Sequence, residues 1–169
     1  MFINNSNEKL FNDFSIEFKD LLIALGYNPN TRIQIYTFHQ YQQLDNVPDL
    51  EFSNFDTFAY VAEKVDSNNP EKDFYAIVYS PLNIKKLCFS PPECYAAIAH
   101  EIGHIINFNN SAIPKDGWFT EMRADEVACG VGLKKQLIAV LNKIQEVTGL
   151  SETQKRALDL RLRFLNIEQ

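Results

Sequence analysis

Residues 90–108, SPPECYAAIAHEIGHIINF, decide how the rest of this chain is read. The stretch opens as a helix start. Ser90 can cap, Pro91 suits the first turn, and Glu93 completes an S-x-x-E capping box. The helix expected to follow spans 91–108 and carries His100-Glu101-Ile102-Gly103-His104. Positions four apart share a helix face, so both imidazoles can reach one tetrahedral metal ion. Glu101 lies about 100° further round the axis. Its carboxylate falls at the edge of the same face, able to meet a water there without ligating a metal.

Catalytic zinc takes three protein ligands and leaves a fourth position for water, so the histidine pair is one ligand short. Glu121-Met122-Arg123-Ala124-Asp125 supplies the missing group. A loop separates Glu121 from His104, so a second helix can return past the first. Asp125 shares the face of Glu121 and can accept the free N–H of a ligating histidine, His100, fixing its tautomer. Glu126 is a rival acid, but it stands off that face. Ala99 and Gly103 on one helix, and Ala124 and Ala128 on the other, permit close approach. A mid-helix glycine costs about 1 kcal/mol against alanine, so Gly103 reads as a packing residue.

Outward from this core the pattern is α+β. Leu10, Phe11, Phe14, Phe18, Leu21, Leu22 and Leu25 mark an amphipathic helix over 7–25, closed by Gly26. Residues 32–38 alternate as a half-buried strand through Ile33, Ile35 and Tyr36. Residues 39–57 are aromatic but irregular. A second strand begins near Phe58, a turn falls at 66–70, and a third strand runs from Phe74 to Tyr79. After the histidine helix, 107–117 reads as a loop, and the next helix begins around Thr120 with a break at Gly130 or Gly132. A helical stripe continues to Gly149, and Ser151 caps a last helix over 152–165 along Leu158, Leu162 and Leu165. The fold expected is an N-terminal helix and small mixed sheet, then the histidine helix and C-terminal helices, as a single domain over 1–169.

Composition excludes other classes. The 169 residues are 46% hydrophobic, enough for a buried core. A formal charge of −6 without a long basic run argues against nucleic acid or anionic membrane as partners. The N-terminal residues show neither a basic nor an apolar signal region, and no apolar run reaches the ~18 residues of a span. A cytoplasmic protein is the expectation. Cys88, Cys94 and Cys129 include no CxxC pair, which points to reduced thiols, not a disulfide framework or zinc cluster. His39 reads as a surface or hydrogen-bonded residue, with an oxyanion donor or proton shuttle as the alternative. Tyr75, Tyr79 and Tyr95 read as packing residues with oxyanion donation as the alternative, and Trp118-Phe119 reads as core packing or a staple, with lining a substrate pocket as the alternative.

HEIGH followed by ExxAD, as 100–104 and 121–125 stand, resembles the gluzincin metallopeptidases. The similarity is closest to the small soluble members: minigluzincins, IrrE/ImmA-type peptidases and the soluble core of CaaX-prenyl endopeptidases. It covers about 95–130. The resemblance implies a zincin-like fold, with His100, His104 and Glu121 as Zn2+ ligands, Glu101 as general base and Asp125 behind the ligands. It also implies an edge strand pairing with an extended substrate, for which Phe74–Tyr79 is the candidate. The expected activity is peptide-bond hydrolysis by metal-activated water on a peptide or protein, with a regulatory protein as one such partner. The alternative is an inactive fold of this type acting as a regulatory or protein-binding module.

Overall fold

A computed structural model describes residues 2–4, 9–45, 47–63, 74–109 and 117–167. Its strands are β1 (Phe2–Asn4), β2 (Arg32–Thr37), β3 (Phe58–Glu63) and β4 (Phe74–Tyr79). Its helices are α1 (Lys9–Ala24), α2 (Phe38–Gln42), α3 (Pro81–Lys86), α4 (Pro91–Phe108), α5 (Gly117–Gly130), α6 (Lys134–Gln145) and α7 (Glu152–Ile167). The described residues are therefore α+β. Two compact units divide the chain, Met1–Ile84 and Lys85–Gln169. The turn expected at 66–70 and most of the expected loop at 107–117 lie outside the described residues.

The first unit holds a mixed sheet in the order β1-β2-β4-β3. β2 pairs in parallel with β1 and β4, while β3 runs antiparallel to β4. This corrects the edge-strand expectation for Phe74–Tyr79. β4 is interior, its backbone taken up by β2 on one side and β3 on the other. The sequence reason is a run, Tyr75 to Tyr79, that is buried throughout, as expected of a strand covered on both faces. The sheet's edges are β1 and β3.

Register and alternation send Ile33, Ile35, Tyr75, Ile77 and Tyr79 to one face. Phe11 of α1 packs there, its ring centroid 5.2 Å from Tyr79 and 6.2 Å from Phe58. The buried stripe of α1 is Phe11, Phe14, Phe18 and Leu22. Leu21 and Leu25, counted in the expected stripe, are exposed. On the opposite face Tyr36, Ala76 and Val78 form a second cluster with Tyr41, covered by Phe38, Val47, Leu50 and Phe52. The irregular stretch is thus a cover for the sheet. It is pinned by the Tyr41 hydroxyl donating to the Pro48 carbonyl at 2.7 Å. The buried Asn83 amide adds bonds to the carbonyls of Ser53 and Asp56 at 3.1 and 2.7 Å.

The second unit is helical and built around α4. Ser90 and Glu93 form the expected capping box. Lys143 of α6 ties this end down, donating to the Glu93 carboxylate at 2.6 Å and the Cys88 carbonyl at 2.7 Å. Ala96 through Ile105 are all buried, so α4 is the unit's core helix. α5 ends at Gly130. Gly132, at φ +88°, then turns the chain, with Leu133 N–H reaching back to the Ala128 carbonyl at 3.0 Å. α7 buries Leu158, Leu162 and Leu165, beginning at a Ser151–Gln154 capping box. No described helix is long and apolar enough to cross a membrane.

α4 and α5 approach most closely at Gly103. A Cβ there would lie 2.8 Å from both the Cα and the carbonyl oxygen of Ala124. Backbone cannot yield as a flexible side chain does. Gly103→Ala is therefore expected to destabilise by about 1–3 kcal/mol through overpacking, despite alanine's helix propensity. A denaturant midpoint at or above that of the wild type would contradict this packing.

Candidate metal centre

The α4–α5 contact brings three donors together. His100 Nε2 and His104 Nε2 are 3.1 Å apart. Glu121 Oε2 lies 3.3 Å from the first and Oε1 3.1 Å from the second. Donor atoms of the three residues all lie within 4.8 Å of one another. Tetrahedral ligands about 2.0–2.1 Å from zinc sit roughly 3.3 Å apart, which this spacing matches. Two imidazole nitrogens and a carboxylate oxygen form a donor set that suits zinc. The group can hold a metal ion; its geometry alone does not name which.

Asp125, fully buried on α5, explains why the nitrogens face this way. Its Oδ1 lies 2.7 Å from His100 Nδ1. A carboxylate there accepts the hydrogen bond of Nδ1–H and so leaves Nε2 with its lone pair toward the site. Burial alone would raise the Asp125 carboxyl, but His100 and Arg161 outweigh it and hold the group below its ordinary range. Glu121 behaves alike. Burial pushes it up, while hydrogen bonds from His100 and His104 and the charge of Arg161 hold it well below. Burial and Arg161 disfavour a proton on His100, yet bonds to Asp125 and Glu121 overcome both and push its pKa up to about 10. A metal must displace that proton to bind.

Glu101 is buried on the same helix, and among the described residues it is not in the three-donor group. Burial raises its carboxyl above the usual range; the nearby imidazoles pull it down and Glu121 adds to the rise. The rival acid Glu126 points elsewhere, exposed and paired with Arg123 at 2.8 Å.

Arg161 of α7 belongs to this cluster and was not anticipated from the sequence. Its Nε donates to Asp125 Oδ2 at 2.8 Å and its Nη2 to Oδ1 at 2.6 Å. Nη1 lies 3.2 Å from Glu121 Oε2. The signal was present but quiet. Arg161 stands three residues after Leu158 and four before Leu165, on the face those leucines bury.

The remaining candidates fall outside the group. His39 is exposed on α2. Tyr75 and Tyr79 are buried in the sheet's core. Trp118 is 46% exposed, so it is not the core residue expected; α5 starts three residues before Thr120, leaving it on an open first turn. All three cysteines are free, and burial with the Glu93 charge pushes the Cys94 thiol up to about 11, unsuited to nucleophilic work. Comparison with known protein families, curated proteins and solved structures finds no match to this chain.

Proposed function

We propose that the chain is a zinc-dependent peptidase of gluzincin type, with a zincin-like second unit carrying the reaction. The observation that supports this reading most is the convergence of His100, His104 and Glu121 beside a buried Glu101 that is not one of the three donors. Zinc bound by those three groups would polarise a peptide carbonyl and make water a nucleophile near neutral pH. Glu101 then takes the proton of the attacking water and delivers it to the leaving amine. A carboxyl raised by burial is tuned for both halves of that transfer. Asp125 holds His100 in the ligating tautomer throughout. The resemblance of residues 95–130 to gluzincin peptidases points the same way.

Incubating the zinc-loaded chain with a broad peptide library tests this. Cleavage that a chelator abolishes and added zinc restores is the expected result. Zinc retained with no peptide cut would instead make the chain a binding module that keeps the site without turnover.

A further inference from the structure

Arg161 has a contact pattern that charge balance alone does not require. Asp125 already takes two of its donors, Nε and Nη2, in a bidentate pair at 2.8 and 2.6 Å. That pair neutralises the guanidinium within the fold. The third nitrogen, Nη1, nevertheless reaches Glu121 Oε2 at 3.2 Å. Glu121 Oε1 faces His104 Nε2 at 3.1 Å, while Oε2, 3.3 Å from His100 Nε2, is the oxygen that also meets the guanidinium. The two oxygens of the third ligand thus have different neighbours.

The geometry points to Arg161 as a positioning residue that limits Glu121 to one ligating oxygen while bracing Asp125 behind His100. This rests on the metal-site reading above. With Nη1 paired to Oε2, Oε1 is the oxygen free of the guanidinium, and ligation through Oε1 alone would leave the fourth coordination position open for water. Only a planar guanidinium can do both tasks at once, because its donors are fixed in a fork. A lysine ammonium has its three donors on one nitrogen, so it cannot reproduce the two-nitrogen bond to Asp125 while a separate nitrogen reaches Glu121. The residue comes from α7, 36 positions beyond Asp125. The C-terminal helix therefore contributes to the metal site as well as to the core.

The full chain, wild type and Arg161→Lys, separates these roles from general stabilisation. Zinc affinity by chelator competition is expected to fall about ten- to hundredfold in Arg161→Lys. The visible spectrum of the Co2+-loaded variant should shift from that of wild type, reporting a changed coordination number. Unchanged affinity and an unchanged Co2+ spectrum in folded Arg161→Lys would overturn the proposal. A crystal structure of the zinc-loaded wild type decides the point whatever the variant does. Glu121 bound through Oε1, with Oε2 on Arg161, supports it; both oxygens on zinc overturn it. A wild type that takes up no metal overturns the metal-site reading itself, a result distinct from either.

Discussion

Glu101→Gln is expected to lower peptide cleavage by a factor of about 10²–10⁴ while leaving zinc in place. The substitution is nearly isosteric, so the packing of α4 is preserved. The amide can still accept a hydrogen bond from water, but it cannot carry the proton to the leaving amine. Glu101 is buried with a raised carboxyl, and among the described residues it lies outside the group that can hold the metal. Measuring kcat/KM together with metal content checks both halves. Activity within a few-fold of wild type would remove Glu101 from the proton transfer. Loss of zinc would show it to be a ligand instead.

Asp125→Asn is expected to have the largest effect on stability. The wild-type carboxylate is fully buried and joins Arg161 to His100 at 2.6 and 2.7 Å. Asparagine takes from the Arg161 guanidinium, whose side chain is only 13% exposed, its bidentate carboxylate and leaves only Glu121 at 3.2 Å as counter-charge. Breaking a buried pair from one side costs about 3–5 kcal/mol, and the midpoint of thermal unfolding should fall on the order of 10 °C. Zinc affinity should fall with it, about ten- to hundredfold, because His100 loses the acceptor that fixes its tautomer. The pH dependence has a definite sign. The Asp125 carboxyl is lowered in the folded chain, so its contribution is complete above the unfolded value near 3.9 and disappears as pH falls through the folded one. The stability gap between wild type and Asp125→Asn should therefore close in acid, and in the metal-free chain it should also narrow as pH rises above about 6.5, because His100 owes part of its pKa of about 10 to Asp125. A gap that widened below pH 4 would contradict the assignment.

The legible part of this molecule was the part written locally. Ser90 to Glu93 starts a helix through contacts three residues apart, and His100 and His104 share a face through contacts four apart. Glu121 and Asp125 repeat that spacing on the next helix, so periodicity, the need for a third donor and the resemblance to gluzincin peptidases together pointed to the residues of this cluster. What escaped depends on distance or on short length. Arg161 arrives from 36 residues beyond Asp125, and a lone arginine in a leucine stripe looks like a solvated charge until its partner is known. Helices α2 and α3, of five and six residues, carry too few turns to show a period. The place of β4 depended on which strands flank it. A uniformly apolar run gave its burial, but not the order β1-β2-β4-β3. The core-packing reading of Trp118 rested on hydrophobicity alone, whereas its position on the first turn of α5 leaves it open.

Zinc titration of wild type and His104→Ala, by chelator competition on the metal-free chains, tests the central claim most directly. The account predicts one zinc per wild-type chain. It predicts an affinity loss of more than about a hundredfold in His104→Ala, since groups merely supporting a ligand already cost ten- to hundredfold. A wild type that binds no zinc, or a His104→Ala chain that binds it equally well, would contradict it.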